Sequence, residues 1–578
     1  MEGNRSVIAM TRHPFISPFY TLRMKPSSGV KSTKLMGSRG HHEAVNAARR
    51  HSLRLSSSQP DSIDLLPAEE LLRDLLLGCR QHLATKELEI WITGGWVRDR
   101  LLGIACSDLD IALSTMTGVQ FGNLLTEFLK QNEASYRQRA LDLGVEFNEF
   151  NGFHTTKKNL DKSKKLETAV GRIFGLDLDL VNLRKEVYDS DCRTPEMEFG
   201  TAEEDAFRRD ATVNALFFDL VNKKVVDFTR KGLDDLSAGI MRTPLKPKQT
   251  FLDDPLRVLR LIRIGSKLGF TFETTTLDCM RDHKVHVALD EKVSRERVGI
   301  EVFKMTRNPY PELSFSLIHK ANLYGTVFLS LRSPLYDALC LVFPQGTEEL
   351  WPAVWPRAIK TITTLSQDPT RCFWPLIQCE EHKGMVWALV AYSPLAGLDT
   401  KNHKLAVDEA VHAIKGTRQL YKLIEASLGN LNSIRSTVEL MASDTPSRGT
   451  VGMRIRKWGV SWGLQVLFSA LGEIICLRTQ DQSSDLSEED ISLVLQRHEA
   501  LLSFARKERL DMVTSMKPML DGNAIKRVFG VTKGGPFLAR ATEDLLEWQL
   551  DHEGADRSAA EAWLLGQRSK LGVPMADI

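Results

Sequence analysis

The sequence predicts an α+β molecule, a mixed β-sheet domain followed by an all-α remainder, and three observations carry that prediction. Strand signals recur around 89–93, 109–114, 177–183, 213–220 and 224–228, all before Pro255. Beyond Pro255 the apolar spacing becomes helical and stays so, most clearly over 253–269, 294–306, 405–428, 433–442, 490–507 and 538–550. At 578 residues and 42% hydrophobic, the chain is long enough for several domains with sizeable cores.

The first segment is unlike the rest. Residues 1–58 hold ten Lys and Arg with only Glu2 and Glu43 as acids, and they are rich in serine. This is the composition of a mitochondrial presequence, with a merely disordered basic tail as the alternative. Met10, Met24 and Met36 offer later starts, so cytoplasmic and nuclear pools are expected beside the mitochondrial one. The leader carries +8, and the remaining 66 basic and 72 acidic side chains leave −6 on the rest. Contacts with nucleic acid there must use local basic stripes, not a globally cationic body. No apolar run approaches the roughly 20 residues that span a membrane. The eight cysteines include no C-x-x-C pair, which argues for reduced thiols in an intracellular compartment and against a zinc site.

After the linker Ser56-Ser57-Ser58-Gln59-Pro60, a helix is expected near 67–85. Glu89-Ile90-Trp91-Ile92 reads as strand, Gly94-Gly95 breaks it, and a short helix runs on to Gly103. A strand that passes through a glycine turn into a helix leaves backbone N–H groups to meet an anion. In the next strand Leu109, Ile111 and Leu113 alternate with Asp108, Asp110 and Ala112, so both aspartates share one face. Like charges held together repel, and a bound cation such as Mg2+ is the natural reason to keep them. A GG turn alone is usually only a turn, and a lone D-x-D is usually solvated. In this order and context the two point together to a metal–nucleotide site.

Gly94-Gly95-Trp96-Val97-Arg98-Asp99 with Ser107-Asp108-Leu109-Asp110 resembles the first motif of the DNA-polymerase-β-type nucleotidyltransferases, and more narrowly of the class II CCA-adding tRNA nucleotidyltransferases. Four further motifs follow in the family's order. Arg208-Arg209-Asp210-Ala211-Thr212-Val213-Asn214 is similar to the second, and Lys231-Gly232-Leu233-Asp234-Asp235 to the third, a hinge, with lysine where an acid or amide is usual. Asp253-Asp254-Pro255-Leu256-Arg257 resembles the nucleotide-selecting motif, with aspartate where many members carry glutamate. Ser294-Arg295-Glu296-Arg297 with Glu301 resembles the fifth. Leu520-Asp521-Gly522 and Gly535-Pro536-Phe537-Leu538 look like the tails of fungal members, so the resemblance runs from about residue 60 to the end.

The resemblance implies a nucleotidyltransferase head over 59–245, a nucleotide-selecting neck over 246–310, a helical body over 311–430 and a tRNA-binding helical tail over 431–578. It implies template-independent addition and repair of the 3′-terminal CCA of tRNA, from CTP and ATP, with Mg2+ and without an obligate protein partner, as a monomer. A poly(A) polymerase, or an enzyme restricted to CC or to A, is the alternative within the superfamily; an inactive tRNA-binding protein is the distant one. Asp108 and Asp110 would hold the metal, with Asp179 as third carboxylate; Asp177 lies on the same face of its strand and can substitute. Gly94, Gly95 and Arg98 would meet the triphosphate. Arg209 would bind phosphate or base and Asp210 a ribose hydroxyl, unless the two merely pair with each other.

Asp253 and Asp254 are expected to cap a helix with Pro255 in its first turn, along which Arg257, Arg260 and Arg263 form one slanted stripe. Asp254 can accept from the exocyclic amine that CTP and ATP share, and Arg257 can donate to the ring edge. Arg260 and Arg263 would touch phosphates or brace Arg257. Lys185 to Glu204 resembles the family's flexible loop, whose presence favours full CCA addition. Lys517, Lys526, Arg527, Lys533 and Arg540 flank the Gly534-Gly535-Pro536 turn and would grip RNA, with a packing corner ringed by solvated cations as the competing reading. Trp351, Trp355, Trp374 and Trp387 are expected in the core of the body, and Asp481 to Asp485 in an exposed loop.

Overall fold

The computed structural model describes residues 62–83, 87–148, 150, 152–156, 168–187, 196–344, 350–477 and 487–574. The leader 1–58, the linker ending at Pro60, the acidic segment 481–485 and residues 188–195 of the expected loop lie outside the described residues.

The head begins with helix α1 (Pro67–His82), strand β1 (Ile90–Thr93), helix α2 (Gly95–Leu101) and strand β2 (Asp108–Leu113). Helices α3 (Gly118–Gln131) and α4 (Glu133–Asp142) precede strands β3 (His154–Thr156), β4 (Thr168–Ile173) and β5 (Leu176–Asn182). A two-stranded ladder, β6 (Arg184–Val187) with β7 (Glu196–Phe199), leads to helix α5 (Ala202–Phe207) and the hairpin β8 (Leu216–Asp219) and β9 (Lys224–Asp227). Seven strands form one sheet in the order β3-β4-β5-β2-β1-β8-β9. Within this sheet only β2 and β5 pair in parallel, which sets Asp108 beside Asp177 and Asp110 beside Asp179.

Alternation along β2 and β5 gives the sheet two different faces. Leu109, Ile111, Leu178 and Leu180 share a core with Leu71, Leu75, Phe121 and Leu125 of α1 and α3. On the other face α5 packs over Ala112, Leu183, Ala215 and Phe217. The aspartates lie toward the other end of that face, where Asp108 is exposed and Asp110, Asp177 and Asp179 are half-buried.

Six helices follow the sheet: α6 (Gly232–Ala238) and then, within the residues expected as neck, α7 (Pro247–Asp253), α8 (Leu256–Leu268), α9 (Thr274–Met280), α10 (His283–Lys292) and α11 (Arg295–Thr306). Gly232 opens α6 where backbone must pass closely, since a Cβ there would lie 2.7 Å from the Thr212 carbonyl oxygen. Helices continue to the end of the described chain. Trp351, Trp355 and Trp387 are buried in an aromatic cluster with Phe315, Tyr324 and Phe328, and Trp374 is half-buried. Residues of the tail form a separate core around Leu520, Ile525, Phe529, Phe537, Leu545 and Leu564. No single described helix is long and apolar enough to cross a membrane.

Several expected elements are corrected. The strand placed at 213–220 starts only at Leu216, because Thr212–Asn214 is a 3₁₀ turn that aims Asn214 into the interior. The helix placed at 253–269 is two: Asp253 ends α7, Asp254 joins, and α8 starts at Leu256 with the Asp254 carboxylate accepting from its N–H at 3.2 Å. The helix placed at 405–428 breaks into His403–Ala413 and Arg418–Gly429, where Lys415 takes a positive φ of 46° and Thr417 caps the restart. The segment expected as a loop from Lys185 carries the β6–β7 ladder at its ends. Strands β3 and β4 escaped the sequence reading because their few residues are mainly polar or small, with no long apolar alternation to mark them.

Candidate active site

The turn between β1 and α2 is the first part of the site. Gly94 holds φ +74° and ψ −128°, a region closed to residues with a Cβ. A Cβ there would also lie 2.9 Å from Arg209 Nη1 and 3.3 Å from Asp110 Oδ2. One glycine therefore lets an arginine and a carboxylate from two distant segments meet. Arg98 of α2 is buried, with Nε donating to Asp99 Oδ1 at 2.7 Å and Nη1 donating to Asn214 Oδ1. Lys267 of α8 reaches the other Asp99 oxygen at 3.7 Å. Arg98, expected at the triphosphate, is thus committed to partners within the head, and Gly95 lies beside its guanidinium.

Burial pushes the Asp110 carboxyl up to about 6, aided by the like charges of Asp108 and Asp179 and opposed by Arg209 and Arg260. Asp179 is therefore the third carboxylate that acts on Asp110. Asp177 stands one register step away beside Asp108 and pairs with Arg172 at 3.4 Å near the surface. The donors are oxygen only and their charge is poorly compensated, which suits a hard divalent cation. Among the described residues, no group of three or more His, Cys, Asp or Glu could hold a metal ion by itself. Asp108 and Asp110 would therefore share such an ion with a ligand's own oxygens.

Arg209 pairs with Asp205 and not with Asp210. Arg209 donates from Nε and Nη2 to Asp205 Oδ2 at 3.0 and 2.8 Å, from Nη2 to Thr93 Oγ1 at 2.9 Å, and lies 5.0 Å over the Phe217 ring. Arg208 donates to the other Asp205 oxygen at 2.8 and 2.6 Å. Asp205 is only 2% exposed, and although burial raises its pKa the two guanidiniums outweigh that and leave it lowered. Asp205 is thus the residue that aims Arg209 at the carboxylates, and the sequence reading missed it. Its signal was available: an acid on α5 stands three and four residues before two arginines at and just past the end of that helix.

Asp210, expected at a ribose hydroxyl, is only 6% exposed and is held between two side chains. Its Oδ1 accepts from Asn214 Nδ2 at 3.0 Å and its Oδ2 from Arg260 Nε of α8 at 2.7 Å. Burial works against this charge, but Arg260 and Asn214 hold the carboxyl at about 2. Against an unfolded value near 4, the pair contributes about 2 to 3 kcal/mol at neutral pH. A depressed acid stabilises above its unfolded pKa, so this contribution is lost as pH falls from about 4 to 2. Asp210→Asn is expected to lose at least that much stability in urea unfolding at pH 7, and the gap to the parent should narrow toward pH 2.

On α8 the three arginines part company. Arg257 is 8% exposed and lies close enough to Asp210 to lower its pKa. Arg260 spans head and neck through Asp210. Arg263, expected at phosphates or as a brace for Arg257, donates from Nε to Glu301 Oε2 of α11 at 2.6 Å and so ties α8 to α11. Asp254, partly open, faces Arg297 of α11 at 3.9 Å. Arg260 is felt by both Asp110 and Asp254. Arg260 thus lies electrostatically between the carboxylate face of the sheet and Asp254. In the tail, Lys517, Arg527, Lys533 and Arg540 are exposed and Lys526 half-buried around the separate small core.

A mixed sheet that presents paired carboxylates beside a glycine turn defines a polymerase-β-like nucleotidyltransferase. A family profile described as the poly(A) polymerase head domain matches residues 90–242. Nucleotidyltransferase lcsQ of Purpureocillium lilacinum is 36% identical, covering 89% of this chain and 94% of its own. The mitochondrial CCA tRNA nucleotidyltransferase of Saccharomyces cerevisiae is 33% identical over 82% and 87% of the two chains. The fold is shared with a solved CCA-adding enzyme in its apo form, at TM-score 0.53 and 18% identity, over 86% of this chain and 95% of that one. The chain belongs to the CCA tRNA nucleotidyltransferase family and is a nucleotidyltransferase.

Proposed function

We propose that this protein adds and repairs the 3′-terminal CCA of tRNA, taking CTP and ATP in turn and using its own side chains as template. One observation carries this reading: Arg260, six residues beyond Asp254, bonds Asp210 at 2.7 Å and so seats the helix that follows Asp254 on the domain that holds Asp108, Asp110 and Asp179. The names of relatives in Saccharomyces cerevisiae and Candida glabrata support the substrate.

Asp108 and Asp110 would hold Mg2+, with Asp179 beside them, and the ion would activate the RNA 3′-hydroxyl and neutralise the leaving pyrophosphate. Arg209, aimed by Asp205 beside the Gly94–Gly95 turn, would face the phosphates, and its attraction for them strengthens as the bound nucleotide displaces water. Asp254 accepts from the amine common to cytosine and adenine, while Arg257 donates to the adjoining ring edge. Arg297, 3.9 Å from Asp254, would help to orient its carboxylate toward the base. UTP and GTP bring a carbonyl to the same place and leave Asp254 facing another acceptor. Once a bound nucleotide covers it, a carboxylate left unpaired there would cost several kcal/mol, up to about a thousandfold in selectivity.

The deciding experiment incubates the purified chain with tRNA lacking its 3′ end and with CTP and ATP, singly and together. Addition of C, C and A in that order is expected. A homopolymer tail would identify a poly(A) polymerase, and arrest after CC, or addition of A only, would identify a partial enzyme. Residues 1–58 are proposed to direct a mitochondrial pool, as the names of the same two relatives suggest. A reporter carrying them should enter mitochondria, and a diffuse signal would reject that role.

A further inference from the structure

We propose that the solvent face of α11 is a landing track for the single-stranded 3′ end of the RNA, an inference that rests on the CCA-adding reading. At helical spacing Arg297, Ile300, Phe303, Lys304 and Arg307 lie along one side of this helix. Ile300 and Phe303 are exposed by 46% and 49%, and Arg307 lies 4.2 Å over the Phe303 ring. The other side of the helix is buried through Val298, Val302 and Met305, so the track sits on a rigid support. At one end Arg297 faces Asp254, which places the track in continuity with the base-selecting residues.

Single exposed apolar residues are ordinary. Here two lie one turn apart among three cations, with Glu296 the one acid on the exposed side. Aromatic rings set among cations along a groove are what unpaired nucleotides use: bases stack, and phosphates meet Lys and Arg. A protein partner would be served by the apolar pair but would leave the three cations unused. The rest of the chain beyond the leader is net acidic, so RNA must use a local basic stripe such as this one. Phe303 would stack a base near the growing end, with Lys304 and Arg307 on the backbone behind it and Arg297 nearest the incoming nucleotide.

The test uses the full chain, 3′-truncated tRNA, and the variants Phe303→Ala and Arg307→Ala. Phe303→Ala is expected to raise the KM for tRNA about tenfold, with kcat at saturating tRNA and the KM values for CTP and ATP within about twofold of the parent. Arg307→Ala should lower the slope of log affinity against log salt by about one. A benzophenone side chain at position 303 should crosslink to the last few nucleotides of the 3′ strand. Parent-like KM and salt slope in both variants, or a crosslink confined to the tRNA body, would overturn the proposal and leave the face to a protein partner. The parent separates the two readings: if it adds nothing to truncated tRNA the CCA-adding function fails, whereas parent activity with unaffected variants rejects the track alone.

Discussion

Asp108→Ala is expected to lower nucleotide addition at least about a thousandfold, equivalent to roughly 4 kcal/mol of transition-state stabilisation. Binding of tRNA should stay within about twofold of the parent, because Asp108 lies at the exposed start of β2 and supports no packing. The same substitution should leave thermal unfolding unchanged, which separates lost chemistry from lost structure. Two companions sharpen the result. Asp179→Ala should fall with Asp108→Ala, since Asp179 acts on Asp110 across the parallel β2–β5 pairing. Asp177→Ala should retain activity within a few-fold, since its carboxylate pairs with Arg172 near the surface. Near-normal addition by Asp108→Ala would remove the metal assignment, and the opposite order for the other two would exchange their roles.

Asp254→Ala is expected to act on choice more than on speed. The preference for CTP and ATP over UTP and GTP should fall by up to about a thousandfold, while addition of CMP by itself drops less. The asymmetry has a physical origin. Removing Asp254 costs the correct nucleotide one hydrogen bond, whereas for the wrong nucleotide it removes a clash between two acceptors. Misincorporation with all four nucleotides in competition is the measurement. Unaltered selectivity would end the reading of protein side chains as template and would move recognition to Arg257 and its surroundings.

The contacts between α8 and the sheet domain would keep the proposed selection and chemistry in register. Asp210 holds Arg260 at 2.7 Å, and Asp99 holds Lys267 at 3.7 Å, so two residues of α8 are tied to the sheet domain at separate points. Glu301 then ties Arg263 to α11. The arginine stripe of α8 thus does structural and electrostatic work together, and only Arg257 remains the candidate for direct contact with a base.

What the sequence determined without help was local. Period two put Asp108 and Asp110 on one strand face, Gly94 marked a backbone conformation that only glycine adopts freely, and helical spacing showed the stripe of Arg257, Arg260 and Arg263. Such patterns are written in neighbouring residues, and their physics needs no knowledge of the rest of the chain. Choice of partner was different. Arg260 could have met a phosphate, and Arg209 could have met Asp210, on any reading of the chain alone. Only the parallel register of β2 and β5 brought Asp179 to Asp110, and only the seating of α8 on the sheet gave Asp210 to Arg260, fifty residues away. A charged side chain takes the strongest desolvated partner within reach, and which groups are within reach is decided when the layers pack.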